Sequence, residues 1–143
     1  MTGQDGRPTV RMVELSADDA LKLLAGVSIG RIVFSARALP TVRPVNHVVD
    51  NGYIVIRTHA GSAILGPAGS GAVVAYEADE LDQETHTGWS VIVTGTATLV
   101  DDPEEQARYR MMLSPWVGAA MDYVVRISTD LITGYRLVPD TQD

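Results

Sequence analysis

Between Gly30 and Ser62 the chain reads GRIVFSARALPTVRPVNHVVDNGYIVIRTHAGS, and this stretch decides the fold. Ile32-Val33-Phe34 is a short apolar run, stopped by Ala36-Arg37-Ala38-Leu39-Pro40. From Thr41 to Val49 the β-like composition resumes, with valines on either side of a polar centre made by Arg43, Asn46 and His47. Asp50-Asn51-Gly52 then supplies a turn, because Asn and Gly tolerate the positive φ of a tight hairpin. Tyr53 to Thr58 is the return strand, and Gly61-Ser62 opens a short helix. Three strands in succession predict a small sheet with Arg43, Asn46, Arg57 and Thr58 on neighbouring strands. Polar side chains on otherwise apolar strands need partners, and a bound ligand is one such partner.

Outward from this stretch the chain divides into recognisable pieces. Residues 1–12 read as a flexible N-terminal tail, 13–139 as one domain and 140–143 as a C-terminal tail. Ser16 followed by Asp19 resembles a capping box, which starts a helix over Ala17 to Ala25, ended by Gly26. Pro67 limits the helix after Ser62 to a turn or two, and Gly66 to Gly71 reads as a flexible connector. Ala72 to Glu77, nearly all apolar, suits a strand buried on both faces. Glu77 to His86 is an acidic connection without the spacing of a metal loop, so no metal site is assigned. From Val91 to Val100, Val91, Val93, Gly95, Ala97 and Leu99 face one way, while Ile92 and three threonines face the other. Small residues there mark a bend or the approach of another backbone. Asp102-Pro103-Glu104-Glu105 starts a helix running to Leu113. Trp116 to Tyr123 is ambiguous, and Tyr123 to Val138 gives two strands interrupted at Ser128-Thr129-Asp130. Six or seven strands and two or three helices favour an antiparallel barrel with helices packed outside.

Composition narrows the function. A chain of 143 residues buries roughly two thirds of the surface its unfolded form exposes, enough for one core. With no cysteine, disulfides and thiol catalysis are excluded. A net charge of −7 argues against nucleic acid as a partner, since phosphate-backbone binding needs a basic face. Ten of the 11 basic residues are Arg, which suits forked recognition of an anionic small molecule. The polar N-terminus and the absence of a long apolar run predict a cytoplasmic protein with no membrane span.

The ordered pieces Gly30 to Phe34, Arg43 to Asn46, Arg57-Thr58 with Gly61-Ser62, Ala75 to Asp79 and Gly88 to Gly95 resemble the pyridoxamine 5′-phosphate oxidase-like superfamily. Its members are mainly β, antiparallel split β-barrels with flanking helices that bind flavin. The resemblance implies a homodimer with cofactor sites at the subunit interface. It lays Arg43, Pro44, Val45 and Asn46 along the flavin ring and ribityl chain. It sets Arg57, Thr58, Gly61, Ser62 and Ala63 around the phosphate, with Trp89 and Ser90 as further cofactor contacts. The hydroxyls and an Arg fork suit a phosphate dianion on chemical grounds as well. FMN is the cofactor implied, with hydride transfer on a small organic substrate. The family often has Lys where Ala63 stands, so one cation is lost unless Arg43 or Arg57 compensates. Two other readings use the same fold: a reductase using deazaflavin (coenzyme F420), whose acidic tail needs a basic channel, or a non-catalytic flavin- or haem-binding protein.

No catalytic residue emerges. His47 and His59 invite acid–base proposals because histidine as a residue type ionises near neutral pH, but neither has a visible partner in the sequence. Trp89 and Trp116 suit either stacking on a planar ring or packing in a core or dimer contact. With a flavin bound, the cofactor carries the hard chemistry and no protein nucleophile is needed.

Overall fold

The computed structural model describes residues 9–114, 116 and 120–140. Among these, nine strands and three helices follow the order β1 (Val10–Glu14), α1 (Ala17–Ala25), β2 (Ile29–Ala36), β3 (Leu39–Asn46), β4 (Val48–Asp50) and β5 (Tyr53–Thr58). Then come α2 (Leu65–Ser70), β6 (Val73–Leu81), β7 (Gly88–Leu99), α3 (Pro103–Met112), β8 (Tyr123–Ile127) and β9 (Leu131–Pro139).

Hydrogen bonding links the strands along one path, β3-β2-β6-β7-β8-β5-β4, while β9 pairs with both β7 and β1. Every pairing is antiparallel. His47 alone separates β3 from β4, yet these strands stand at opposite ends of the path. The sheet must therefore curl until its ends meet, and the ends are not laddered to each other. This is a split β-barrel with flanking helices. Arg43 and Arg57, expected on neighbouring strands, lie instead on β3 and β5, which are not hydrogen-bonded neighbours and flank that split.

β7 is the strand that the others share. One edge pairs with β6 from Gly88 to Thr96. The other edge pairs with β9 over its first half and with β8 over Ala97–Leu99. The handover happens at Gly95, where a side chain would strike the Ser128 carbonyl. Ser128 fastens this corner through Thr96: its hydroxyl accepts the Thr96 N–H at 2.9 Å, and its own N–H donates to the Thr96 carbonyl at 3.1 Å. The expected alternation along β7 holds, and so does the expected close approach of another backbone.

Ser16 accepts the Asp19 N–H at 3.1 Å and opens α1, which turns Ala20 and Leu24 into the barrel beside Ile32, Tyr76, Val91 and Val93. Asp102 accepts the Glu105 N–H at 3.1 Å and opens α3 as expected. α3 covers the outer side of β5 and β8, so Tyr109 and Val100 bury Val55 and Val124 in a second cluster. It is held there by Asp50, which accepts Arg108 at 2.9 and 3.2 Å and the Tyr109 hydroxyl at 3.0 Å. The Arg108 guanidinium keeps the Asp50 carboxyl below its ordinary pKa.

Several expectations need correction. Val10 to Met12, taken as tail, belong to β1, and Pro139 still belongs to β9. Residues 1–8, 115, 117–119 and 141–143 lie outside the described residues, so expectations there stay as they were. Gly66 to Gly71 is no connector. It is α2 with its cap, because Pro67 sits in the first helical turn, where its missing N–H costs nothing, and Gly71 closes the end at φ +69°. β6 is not buried on both faces: it alternates, with Val73 exposed, and runs on to Leu81. The acidic connection is therefore half strand, and Glu77 and Asp79 meet Arg31 of β2 at 2.8 and 3.7 Å. Among the described residues no helix is long and apolar enough to cross a membrane.

Candidate functional site

Where the sheet ends meet, a groove of about 710 Å³ opens. One wall is β3 with Arg43, Pro44, Val45 and Asn46, and the other is the end of β5 with Ile56, Arg57 and Thr58. The floor takes inward residues of β2, Ile32 and Phe34, with Ile29 at the strand's entrance. The turn leading to α2 adds His59, Gly61, Ser62, Ala63 and Ile64, while Trp116 and Met121 close the far side. The volume lies within the range of small-molecule sites.

Nine of the eleven residues singled out in the sequence line this one groove: Arg43, Pro44, Val45, Asn46, Arg57, Thr58, Gly61, Ser62 and Ala63. Trp89 and Ser90 do not. Trp89 is buried in the barrel core, and Ser90 sits mid-sheet between Asp79 and Tyr135. Trp116, which the sequence left between stacking and packing, lies at the groove and is largely exposed.

The polar side chains of the groove fall into two sets. Arg57 and Asn46 are engaged with their own chain. Arg57 donates through Nε to the Met121 carbonyl at 2.9 Å, and through Nη1 to the Leu113 and Arg110 carbonyls at 2.9 and 3.4 Å. These include the last carbonyls of α3, which a helix end leaves without intrahelical donors. Asn46 donates to the Ser114 carbonyl at 2.8 Å. Together they tie the stretch after α3 to the groove walls.

Arg43, Thr58 and Ser62 form the second set. Arg43 is exposed, donates only to the neighbouring Val42 carbonyl at 3.1 Å, and has no carboxylate partner among the described residues. Thr58 is buried. Neither the Thr58 nor the Ser62 hydroxyl has a hydrogen bond among the described residues; both oxygens keep access to solvent at the groove, where a ligand could meet them. Gly61, at φ +83°, leaves open space where a side chain would stand. Two hydroxyls without hydrogen bonds among the described residues, a guanidinium without a carboxylate partner there and an open glycine turn suit an anionic ligand with an apolar body. His59 turns its Nδ1 to the Ala60 carbonyl at 2.9 Å.

Sequence reasoning missed the apolar floor and the buried pair beneath the groove. Ile32 and Phe34 point inward by strand alternation, a signal that was legible once β2 was known to line a site. His47 is buried against Tyr76, and their rings meet edge to face at 5.0 Å. A polar Tyr within the apolar run Val73 to Ala78 was the available hint. Among the described residues no group of three or more His, Cys, Asp or Glu is placed to hold a metal ion.

Comparison with known proteins agrees with this fold. The family model for pyridoxamine 5′-phosphate oxidase matches residues 16–136. An uncharacterized Mycobacterium tuberculosis protein, Rv0080, is 51% identical over 135 residues, covering 92% of this chain and 89% of its own. The solved FAD-binding protein of Mycobacterium smegmatis is 32% identical, with a TM-score of 0.68, over 88% of this chain and 98% of its own. A Corynebacterium glutamicum structure, named as a candidate oxidase of this kind, is 33% identical with a TM-score of 0.74, over 91% of this chain and 96% of its own. The match runs from the cap of α1 into β9 and takes in both groove walls, so the chain belongs to the pyridoxamine 5′-phosphate oxidase family.

Proposed function

We propose that the groove binds a flavin, with FMN the specific cofactor, and that the protein is a dimeric oxidoreductase acting by hydride transfer on a small organic substrate. The observation that carries this reading is the groove itself: nine residues chosen for cofactor contact converge there, and its two free hydroxyls lie beside an open turn. The M. smegmatis relative is named for FAD, which supports a flavin without choosing between FMN and FAD. A homodimer completing each site, in a cytoplasmic setting, belongs to the same reading.

A bound flavin supplies the hydride chemistry. The chain supplies the rest. Thr58 and Ser62 donate to the anionic end, and Arg43 brings the charge that Ala63 does not. Ile32, Phe34 and Ile56 keep water from the planar ring. Arg57 holds the groove's far side through backbone carbonyls rather than serving as a free phosphate fork. That commitment leaves few cations for a polyanionic tail, which favours FMN over deazaflavin. Trp89 is occupied by the barrel core and Ser90 lies mid-sheet, so neither is given a part in holding the cofactor in this groove.

The test is a visible spectrum of the purified protein, followed by FMN and FAD titrations read by fluorescence quenching. Saturable binding of about one flavin per chain is expected. Thr58→Ala with Ser62→Ala should weaken FMN by about tenfold or more, the worth of hydrogen bonds to a charged group. Ala63→Lys should tighten it. Unchanged affinity in both variants would remove the site assignment.

A further inference from the structure

His47, the single residue between β3 and β4, lies in a line of polar groups beneath the groove wall. Its Nε2 is 2.9 Å from the Leu24 carbonyl oxygen at the end of α1. Its Nδ1 is 2.5 Å from the Tyr76 hydroxyl, which in turn is 3.0 Å from the Val45 carbonyl oxygen. Both ends of the line are carbonyls, which only accept. Three contacts in series need three protons, and a neutral imidazole with a phenol brings two. One of the three contacts then lacks a proton: the Val45 carbonyl loses the Tyr76 hydroxyl, the Leu24 carbonyl is left with the Val27 N–H at 3.4 Å, or two lone pairs face each other between the rings. An imidazolium supplies the third proton: Nε2–H donates to Leu24, Nδ1–H to Tyr76, and Tyr76 to Val45.

We propose that His47 and Tyr76 are positioning residues for the groove, and that protonated His47 holds the Val45–Asn46 wall in the arrangement that takes the flavin. The ligand in this proposal rests on the flavin reading above; the coupling of His47 to the wall does not. Val45 and Asn46 line the groove, and they are the residues just before His47. A joint with all three hydrogen bonds fixes them, and a joint lacking one lets them shift.

No hydrogen bond or ion pair joins a charged side chain to this line among the described residues. Tyr76 is the titratable group that His47 touches among the described residues. From α1, Ala20 and Leu24 face inward while Asp18, Asp19 and Lys22 are exposed. Arg31 of β2 and Glu77 of β6 lie on the other face of the sheet and act on the Tyr76 hydroxyl from a distance, Arg31 lowering and Glu77 raising its pKa. On β4, Asp50 is held by Arg108. Burial pushes the His47 imidazole below its ordinary value of 6.5 and the Tyr76 phenol well up. The third proton therefore arrives only on the acid side, and a ligand that prefers the protonated joint must raise the His47 pKa in return.

The test has two arms. In ligand-free protein, NMR follows the His47 ring and the Val45 and Asn46 amides across the acid-to-neutral range. The amides should move with the midpoint of the ring; in Tyr76→Phe the ring still titrates but the amides no longer follow. The second arm measures riboflavin binding by fluorescence quenching, because riboflavin has no phosphate to titrate. Binding should be about fivefold tighter below the His47 midpoint than above it, the worth of one hydrogen bond, and flat in His47→Gln. Still amides in the wild type, or riboflavin binding that ignores the midpoint, would overturn the proposal. Amides that follow the ring while no flavin binds at any pH would uphold the coupling and overturn the flavin reading.

Discussion

A Cβ built on Gly95 would stand 1.6 Å from the Ser128 carbonyl oxygen, and backbone is what it would strike. Neither strand can yield without breaking the Ser128–Thr96 hydrogen bonds that set the corner. Gly95→Ala is therefore expected to destabilise the fold by about 3 kcal/mol or more, at the upper end of overpacking costs. A urea melt within half of that value of wild type would show that the corner relaxes. This residue was legible beforehand, because a glycine on the buried side of a clear alternation asks for a close neighbour. Arg57 was not. Its acceptors, the Arg110, Leu113 and Met121 carbonyls, lie more than fifty positions along the chain, and nothing local to Arg57-Thr58 announces them. Trp89 misled for a related reason, since an aromatic at a strand entrance looks the same whether it turns toward a ligand or into a core.

The two tight hairpins of the β2–β5 region differ in their tips. Asn51 and Gly52, at φ +50° and +81°, use the residues that tolerate left-handed backbone. Arg37 and Ala38, at φ +54° and +61°, form the other tip with residues that do not. Each costs about 1 kcal/mol in that region. Replacing the pair with Asn-Gly should raise stability by about 1 to 2 kcal/mol, read as a higher urea midpoint with an unchanged slope. No gain would mean that neighbouring contacts already favour the turn. The contrast explains what could be read at this scale. Asn-Gly gave its turn away, whereas Arg37-Ala38 was recognisable only because the apolar run stopped. α2 was hidden by its glycines and Pro67: composition argued for a loop, and contact with the barrel through Ile64 and Ala68 overrode it.

Across the whole molecule, strand register decides which charges meet. It sets Glu77 and Asp79 side by side with one cation, Arg31, between β2 and β6. Burial, then the hydrogen bond with Asp79, raises the Glu77 carboxyl to about 7 against the pull of Arg31. A carboxyl raised in the folded state holds its proton more firmly there than in the unfolded chain. Its stabilising contribution is complete below the ordinary value of 4.5 and is lost as pH climbs to about 7. Melting temperature should fall across that window in the wild type and fall less in Glu77→Gln; parallel profiles would show that Glu77 is ionised throughout. His47, lowered by burial, works in the opposite sense below 6.5, so the difference between variant and wild type is the quantity to read. The architecture at this scale was legible from segment order, since strands joined by tight turns leave little but an antiparallel barrel. Which strands flank the split was not, because one residue, His47, both ends β3 and carries the chain to the far end of the sheet.

The pairing of β1 with β9 has a consequence for the birth of the protein. Among the described strands β1 leaves the ribosome first, and it finds its ladder partner only when β9 emerges. Meanwhile β7, the strand shared by three others, already offers one completed edge to β6 and one waiting edge. The β1–β9 ladder, from Val10 with Pro139 to Glu14 with Tyr135, therefore cannot form until nearly all the described strands are made, and until then β1 is an unpaired sheet margin.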